Sequence, residues 1–231
     1  MSTKTSSPYF KVSELFPALT RFSYAARKQT FDFFMKTMQP SRATSVIDIG
    51  VTGDAHFREA NIFEQLYPYR DQIVAVGPEE GSHLESLYPG MRFVPIQPGT
   101  PLPFQDKHFD IAFSNAVVEH VGSRRQQEEF IAEVCRVARR IFIVVPNRWF
   151  PVEHHTAVPF LHYLPKPLYR RLLAATPLRV WSREENLNSL TKRELAGLFP
   201  PGYPVQIEIM GIGFGPLRSN IVAYSTRAAP S

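Results

Sequence analysis

The feature that most constrains this chain is an apolar stretch, residues 44–54, which an acid interrupts and two glycines end. Three of the four residues in 46–49 are β-branched, which predicts the end of a strand buried on both faces of a parallel sheet. Gly50 and Gly53 allow the backbone to turn tightly and to approach a ligand closely. Asp48 adds a negative charge, so we expect a ligand above this loop to carry a cationic or hydrogen-bond-donating group.

The overall composition fits one α/β domain with additional segments. The chain has 231 residues, of which 44% are hydrophobic, enough for a sizeable core. The sequence contains no window of 18 apolar residues, and it begins with a Ser/Thr-rich stretch, so we expect a soluble, cytoplasmic protein. Cys135 is the single cysteine and can form neither an internal disulfide nor a cysteine-based metal site. We expect no metal.

The charge is unevenly distributed along the chain. Residues 121–231 contain 15 Lys and Arg against 8 Asp and Glu, whereas residues 1–120 contain 11 against 13. A basic half suits an anionic substrate, nucleic acid, a membrane surface or solvated helix faces. No compact basic run is present, which disfavours nucleic acid, and peripheral membrane contact stays open. The oligomeric state is not indicated.

The remaining apolar runs predict an alternating βα chain. Further strands are expected at residues 73–77, 91–94, 141–145, 205–210 and 220–224, and the segment 106–115 is expected to turn into another strand. A glycine-rich connection joins the last two, which predicts a hairpin and hence an antiparallel final strand. The fold class is therefore α/β: a Rossmann-like, doubly wound, mostly parallel sheet with an antiparallel last strand and helices on both faces.

Three helices have clear sequence signals. Aromatic and small residues at helical spacing predict a helix over residues 20–38, before the first strand. Ser123 is a suitable N-cap for a helix that extends through Arg139. Thr191 and Glu194 form a Thr-x-x-Glu capping box for a helix that ends at Phe199.

The glycine loop resembles the first motif of the class I S-adenosylmethionine-dependent methyltransferases, an acid followed by x-Gly-x-Gly-x-Gly. Asp48 and Gly50 match its first two fixed positions, Thr52 occupies the place of the usual second glycine, and Gly53 is adjacent. The resemblance implies S-adenosylmethionine as the cofactor.

The end of the second predicted strand carries two acids. An acid at this position in nucleoside-binding sheets accepts hydrogen bonds from both ribose hydroxyls. The methyltransferase pattern Gly-x-acid fits Gly77 and Glu79, and the neighbouring Glu80 leaves the register open by one residue.

The loop and strand that follow carry the most specific resemblance. Residues 97–121 are similar to the segment around the fourth strand in methyltransferases of the ubiquinone and menaquinone type, also called type 11. That family usually has an aspartate on the adenine side, whereas Gln97 is the polar residue here; its carbonyl can accept from the adenine amino group. The resemblance also places Ser114 and Asn115 in the cofactor site.

The segment after the fifth strand supplies candidate catalytic groups. Residues 146–156 are similar to a stretch of the same methyltransferase group that ends in a histidine aligned with His155. If the acceptor is a hydroxyl, a general base helps, and the candidates are Glu153, His154, His155 and His120.

The domain prediction has two parts. Residues 1–43 form an N-terminal helical extension, and residues 44–231 form a methyltransferase domain. Residues 147–190, which are rich in proline and in apolar residues, form a lid-like insertion within it.

The sequence therefore predicts a methyltransferase that acts on a small molecule, such as a phosphorylated, glycosyl or lipid-linked metabolite. One alternative is an NAD(P)-dependent oxidoreductase, but the acid here precedes the glycines, and Glu79 follows Gly50 by 29 residues rather than about 20. Another alternative is a methyltransferase-like domain that binds a partner without catalysis, which Thr52 and the missing acid near Gln97 favour.

Overall fold

The structure is a computed structural model, which describes residues 17–53 and 60–226. In this part of the chain the strands are β1 (Val46–Ile49), β2 (Ile73–Gly77), β3 (Arg92–Pro95), β4 (Phe109–Asn115), β5 (Ala138–Pro146), β6 (Gln206–Met210) and β7 (Asn220–Tyr224). The α-helices are α1 (Pro17–Met38), α2 (Ile62–Leu66), α3 (His83–Leu87), α4 (Arg124–Val137), α5 (Lys166–Ala174) and α6 (Lys192–Ala196).

The strands form one sheet in the order β3-β2-β1-β4-β5-β7-β6. Strands β1 to β5 pair in parallel, whereas β7 is antiparallel to both β5 and β6. The predicted fold class is confirmed. The strand order reverses direction between β1 and β4, and ligands of open α/β sheets bind at the carboxyl ends of the strands at such a point.

Alternate residues of β1 enter two separate apolar cores, one on each face of the sheet. Ile47 and Ile49 pack with residues of α4 and α6, whereas Val46 packs with residues of α1, α2 and α3. This alternation follows from the two-residue period of a strand. It explains why the strand had to be apolar on both faces.

Helix α1 is attached to the sheet through aromatic side chains. Phe34 is fully buried, and its ring lies edge-on to Phe63, Phe113 and Phe142 at centroid distances of 5.2–5.5 Å. Phe22, at the other end of the helix, is 55% exposed. The helix predicted over residues 20–38 is present, and it begins three residues earlier, at Pro17.

The predicted N-cap at Ser123 and the predicted capping box at Thr191 are confirmed, but the predicted ends of the two helices were wrong. Ser123 and Thr191 each accept a hydrogen bond from the backbone three residues on. Helix α4 ends at Val137 instead of Arg139, because Ala138 already pairs with Phe109 and extends β5 at its start. Helix α6 ends at Ala196, since glycine follows it and two prolines come soon after.

The segment between β5 and α6 contains an apolar cluster of its own. Its two ends meet where Asn147 forms a parallel bridge with Leu190. Between these ends, Tyr169, Leu173 and Trp181 are buried together with Leu187. No helix in the described part of the chain is long and apolar enough to cross a membrane.

Candidate active site

A cavity of about 230 Å³ lies at the carboxyl ends of β1, β2 and β4. Gly50, Glu79 and Asn115, which follow or end these strands, all line it. The cavity therefore occupies the position where the strand order predicts a ligand site.

The loop after β1 depends on glycine at its first position. Gly50 has a φ of +100°, and an added Cβ would overlap the side chain of Val117. The N–H groups of Gly50 and Val51 both donate to the carbonyl of Val76, at 2.8 and 3.1 Å. This arrangement holds the loop against β2 and the cavity.

Thr52 connects the glycine loop to the acid at the end of β2. Its hydroxyl donates to Glu79 Oε2 at 3.0 Å, and the N–H of Gly53 donates to the same oxygen at 3.2 Å. Asn61 fixes Thr52 from the other side, through hydrogen bonds to its N–H and carbonyl at 3.1 and 2.8 Å. Glu79 lines the cavity, whereas the carboxylate of Glu80 accepts from Ser82. The structure thus brings Glu79, and not Glu80, to the cavity.

Two buried acids lie on the cavity wall below the glycine loop. Asp48 and Glu64, from β1 and α2, are 6% and 0% exposed. Their carboxyls are close enough to hydrogen-bond when one of them carries a proton. Burial raises the pKa of both groups, and the charge of Glu64 raises the pKa of Asp48 further. Burial therefore disfavours a negative charge on both carboxyls at once, and a bound cation would offset this cost.

The turn after β4 places a second pair of groups on this wall. His120 Nδ1 donates to the carbonyl of Asn186 at 2.6 Å. Burial, aided by the charge of His155, lowers the pKa of His120 to about 3, so its ring is neutral at pH 7. Glu119 is 1% exposed, and burial raises its pKa to about 7 against the hydrogen bond from its own backbone N–H and the charge of His155.

Glu153 and His155 form a buried ion pair. His155 Nδ1 donates to Glu153 Oε1 at 2.8 Å, and the N–H groups of His155 and Thr156 donate to Oε2 at 3.0 and 2.7 Å. Burial alone would lower the pKa of His155, but the charge and hydrogen bond of Glu153 outweigh burial and raise it. Burial likewise opposes ionisation of Glu153, yet the same contacts lower its pKa to about 2. The ring of His155 packs on the rings of Trp181 and His120, with distances between ring centroids of 4.7 and 4.8 Å.

A second cavity, of about 280 Å³, adjoins the first. The residues that line both are Arg27, Asn115, Ala116, Pro146 and His154. The second cavity has a largely apolar wall that includes Phe22, Phe150 and Ile212, together with the guanidinium-bearing Arg148. Glu153 lines the second cavity, and His155 lines the first.

Three predicted cofactor residues do not line the first cavity. Gln97 is exposed on the loop after β3. Ser114 is fully buried, and its hydroxyl donates to the carbonyl of Ile49 at 2.9 Å, so it ties β4 to β1. Gly53 lies next to the wall and contributes its N–H to Glu79.

Three charged or ionisable residues on this wall were not predicted from the sequence: Arg27, Glu64 and Glu119. Of these, only Glu119 could have been found from the sequence, because it directly precedes His120, which is a predicted candidate base. Within residues 17–53 and 60–226, no group of three or more His, Cys, Asp or Glu side chains could hold a metal ion.

A mostly parallel sheet of this order with an antiparallel β7, and with an acid and a glycine turn at the end of β1, defines the class I methyltransferase fold. A family model described as a methyltransferase domain matches residues 56–142 and confirms the resemblance to the type 11 methyltransferases. The match includes Glu79, Glu119 and His120, but it begins after the glycine loop and ends before Glu153.

Solved structures support the same fold. The PH0226 protein from Pyrococcus horikoshii OT3 has a TM-score of 0.60 and 16% identity, over 95% of this chain and 99% of that one. A methyltransferase from Thermotoga maritima, described as a possible histamine N-methyltransferase, has a TM-score of 0.55 and 17% identity. The match covers 95% of this chain and 97% of that one. A methyltransferase from Aquifex aeolicus has a TM-score of 0.53 and 13% identity, and the match covers 94% of this chain and 97% of that one. A comparison with curated proteins gives no match.

Proposed function

We propose that this protein is an S-adenosylmethionine-dependent methyltransferase that acts on a small-molecule acceptor. The observation that carries the proposal is the pair of adjoining cavities at the carboxyl edge of the sheet. One cavity has buried acids below a glycine loop and suits a cationic nucleoside, and the other suits a second reactant. Methyl transfer needs two such sites side by side, because donor and acceptor must meet in line.

The residues of the first cavity fit the cofactor at two of its ends. Asp48 and Glu64 would hold the ammonium group of the methionine part, since a cation removes the cost of two buried acids. Glu79 would accept from the ribose hydroxyls. When bound, S-adenosylmethionine supplies a methyl group that its sulfonium already activates.

The second cavity favours an acceptor with an apolar body and an anionic group. Arg27 and Arg148 supply positive charge to a wall that is otherwise mostly apolar. Two N–H groups of Arg148 already donate to the carbonyls of His162 and Leu164, at 3.3 and 2.9 Å, which fixes the guanidinium in place. A phosphorylated or lipid-linked metabolite combines the two required features.

Among the predicted bases, the ion pair suits a positioning role better than proton removal. His155 is cationic while it is paired with Glu153, and it becomes a base only above its raised pKa. His120 is neutral, but a pKa of about 3 makes it a weak proton acceptor. We propose that Glu153 and His155 fix the part of the segment 147–190 that lines the two cavities, and that this segment would serve as the lid. The cytoplasmic location stays a prediction.

The proposal is tested by methyl transfer from labelled S-adenosylmethionine into fractionated cell extract. We expect label in a small-molecule fraction with the wild-type protein, and none with Asp48→Asn, which lacks one of the two acids for the ammonium. Identification of the labelled compound then gives the acceptor. Label found in protein or RNA alone would contradict a small-molecule acceptor.

A further inference from the structure

We propose that Glu119 accepts the proton that the acceptor loses during methyl transfer. The inference rests on the proposed function, and it assigns the chemical step to a residue that sequence patterns did not select. It also predicts that the acceptor nucleophile carries a proton, as in a hydroxyl, a phenol or an N–H group.

Glu119 is a buried acid on the wall of the first cavity. Its side chain is 1% exposed, and neither carboxyl oxygen accepts a hydrogen bond from any other described residue. Buried carboxyl groups are almost always hydrogen-bonded, because burying one without a partner is costly. Glu119 lines the first cavity with Gly50 and Asn115, and Asn115 also lines the second. A donor group on a bound molecule would supply the missing partner.

The backbone of Glu119 is held firmly from two directions. The N–H of Asn188 donates to its carbonyl at 2.7 Å, and Gln127 Nε2 donates to the carbonyl of Val118 at 3.0 Å. Gln127 also donates to the carbonyl of Asn188 at 3.0 Å, so three chain segments are tied together here. The carboxyl thus starts from a fixed backbone, as a group needs in order to meet a reacting atom at short range.

The charges around Glu119 suit a group that takes up a proton at neutral pH. His120 Nε2 lies 3.7 Å from Glu119 Oε1, on the same turn. The other charged groups that act on Glu119 are Arg27, Glu153 and His155, and the remaining titratable groups of the cavity wall are Asp48, Glu64, Glu79 and His154. Burial keeps the pKa of Glu119 near 7, which is favourable for general acid–base catalysis at pH 7.

Methyl transfer conserves charge and electrons when Glu119 accepts the proton. The nucleophile X–H uses a lone pair to form the X–CH₃ bond, the carbon–sulfur bond breaks with its electrons going to sulfur, and the proton of X–H moves to Glu119. The products are methylated acceptor, neutral S-adenosylhomocysteine and a protonated Glu119, which releases its proton to solvent before the next turnover.

The test compares Glu119→Gln, which keeps the shape of the side chain, with Glu129→Gln, an exposed acid on α4 that pairs with Arg125. Methyl transfer into the labelled fraction should fall about 10²–10⁴-fold in Glu119→Gln and stay unchanged in Glu129→Gln. The affinity for S-adenosylhomocysteine should stay within about twofold in both. The wild-type rate should rise as the pH passes through about 7, and this rise should disappear in Glu119→Gln.

Infrared titration of the wild-type protein gives a readout that needs no acceptor. The protonated-carboxyl band that titrates near pH 7 should lose the contribution of one carboxyl in Glu119→Gln and stay unchanged in Glu129→Gln, while Asp48 and Glu64, whose pKa values are also raised, contribute equally in all three proteins. If the wild-type protein transfers methyl groups and Glu119→Gln is equally active, or if the band that titrates near pH 7 is unchanged in Glu119→Gln, the role of Glu119 alone is overturned. A wild-type protein that neither binds S-adenosylhomocysteine nor transfers label would instead overturn the proposed function.

Discussion

Replacement of His155 by Ala is expected to lower the free energy of unfolding by about 3–5 kcal/mol, the cost of breaking a buried ion pair from one side. Glu153 would remain buried without its imidazolium, since both side chains are only 5% exposed. For a chain of this length, such a loss corresponds to a melting temperature lower by roughly 6–20 °C. Thermal and denaturant unfolding would measure it.

The matched control is His83→Ala, an exposed histidine at the start of α3. Its effect on stability should stay within about 0.5 kcal/mol, as is usual for surface positions. An unchanged melting temperature in His155→Ala together with lost methyl transfer would contradict the structural role. That result would restore His155 as the general base.

The same ion pair gives the stability difference a pH signature. The pKa of His155 is raised in the folded state. Its contribution to the free energy of unfolding is therefore fully present below pH 6.5 and is lost as the pH rises through the raised pKa. The pKa of Glu153 is lowered to about 2, so its contribution is present above 4.5 and is lost as the pH falls toward 2. The free energy of unfolding of the wild-type protein should therefore exceed that of His155→Ala by the largest amount between pH 4.5 and 6.5.

Replacement of Glu79 by Ala is expected to weaken S-adenosylhomocysteine binding by about 1.5–3 kcal/mol, or about 10–150-fold, the range for hydrogen bonds to a charged group. In the structure Glu79 Oε2 already accepts from Thr52 and Gly53. A ribose must therefore use the other oxygen or displace Thr52, and the variant also frees the glycine loop. Calorimetry measures the affinity, and unfolding checks that the fold is retained.

Glu80→Ala is the control for Glu79, because Glu80 is the adjacent acid and does not line the cavity. Its carboxylate accepts from the N–H of Ser82 at 2.9 Å, so its loss affects the start of α3. We expect its affinity for S-adenosylhomocysteine to stay within about twofold of the wild-type value. A larger loss in Glu80→Ala than in Glu79→Ala would shift the ribose contact by one residue.

The sequence predicted those parts of the fold that local chemistry decides. The stretch 46–49 is apolar because β1 is covered on both faces, and its pattern marked the strand. Ser123 and Thr191 mark helix starts because a cap depends on residues only three positions apart. The end of α4 was less predictable, since pairing of Ala138 with β4 overrides helical periodicity there.

The candidate site was only partly predictable, because its chemistry depends on contacts between distant segments. Glu64 lies on a short helix whose sequence gives no sign that it meets Asp48. His120 was a reasonable base by residue type, yet the carbonyl of Asn186, 66 residues away, fixes its neutral tautomer. Burial selects Glu119 instead, and burial of one carboxyl is a property of the assembled fold.

The most direct test of the account is calorimetric titration of the wild-type protein with S-adenosylhomocysteine, in two buffers that differ in ionisation enthalpy. We predict saturable binding with release of protons, because an ammonium group beside Asp48 and Glu64 would lower their raised pKa values. Glu64→Gln should bind with less proton release. No binding of either S-adenosyl compound, together with saturable binding of NAD, would contradict the account.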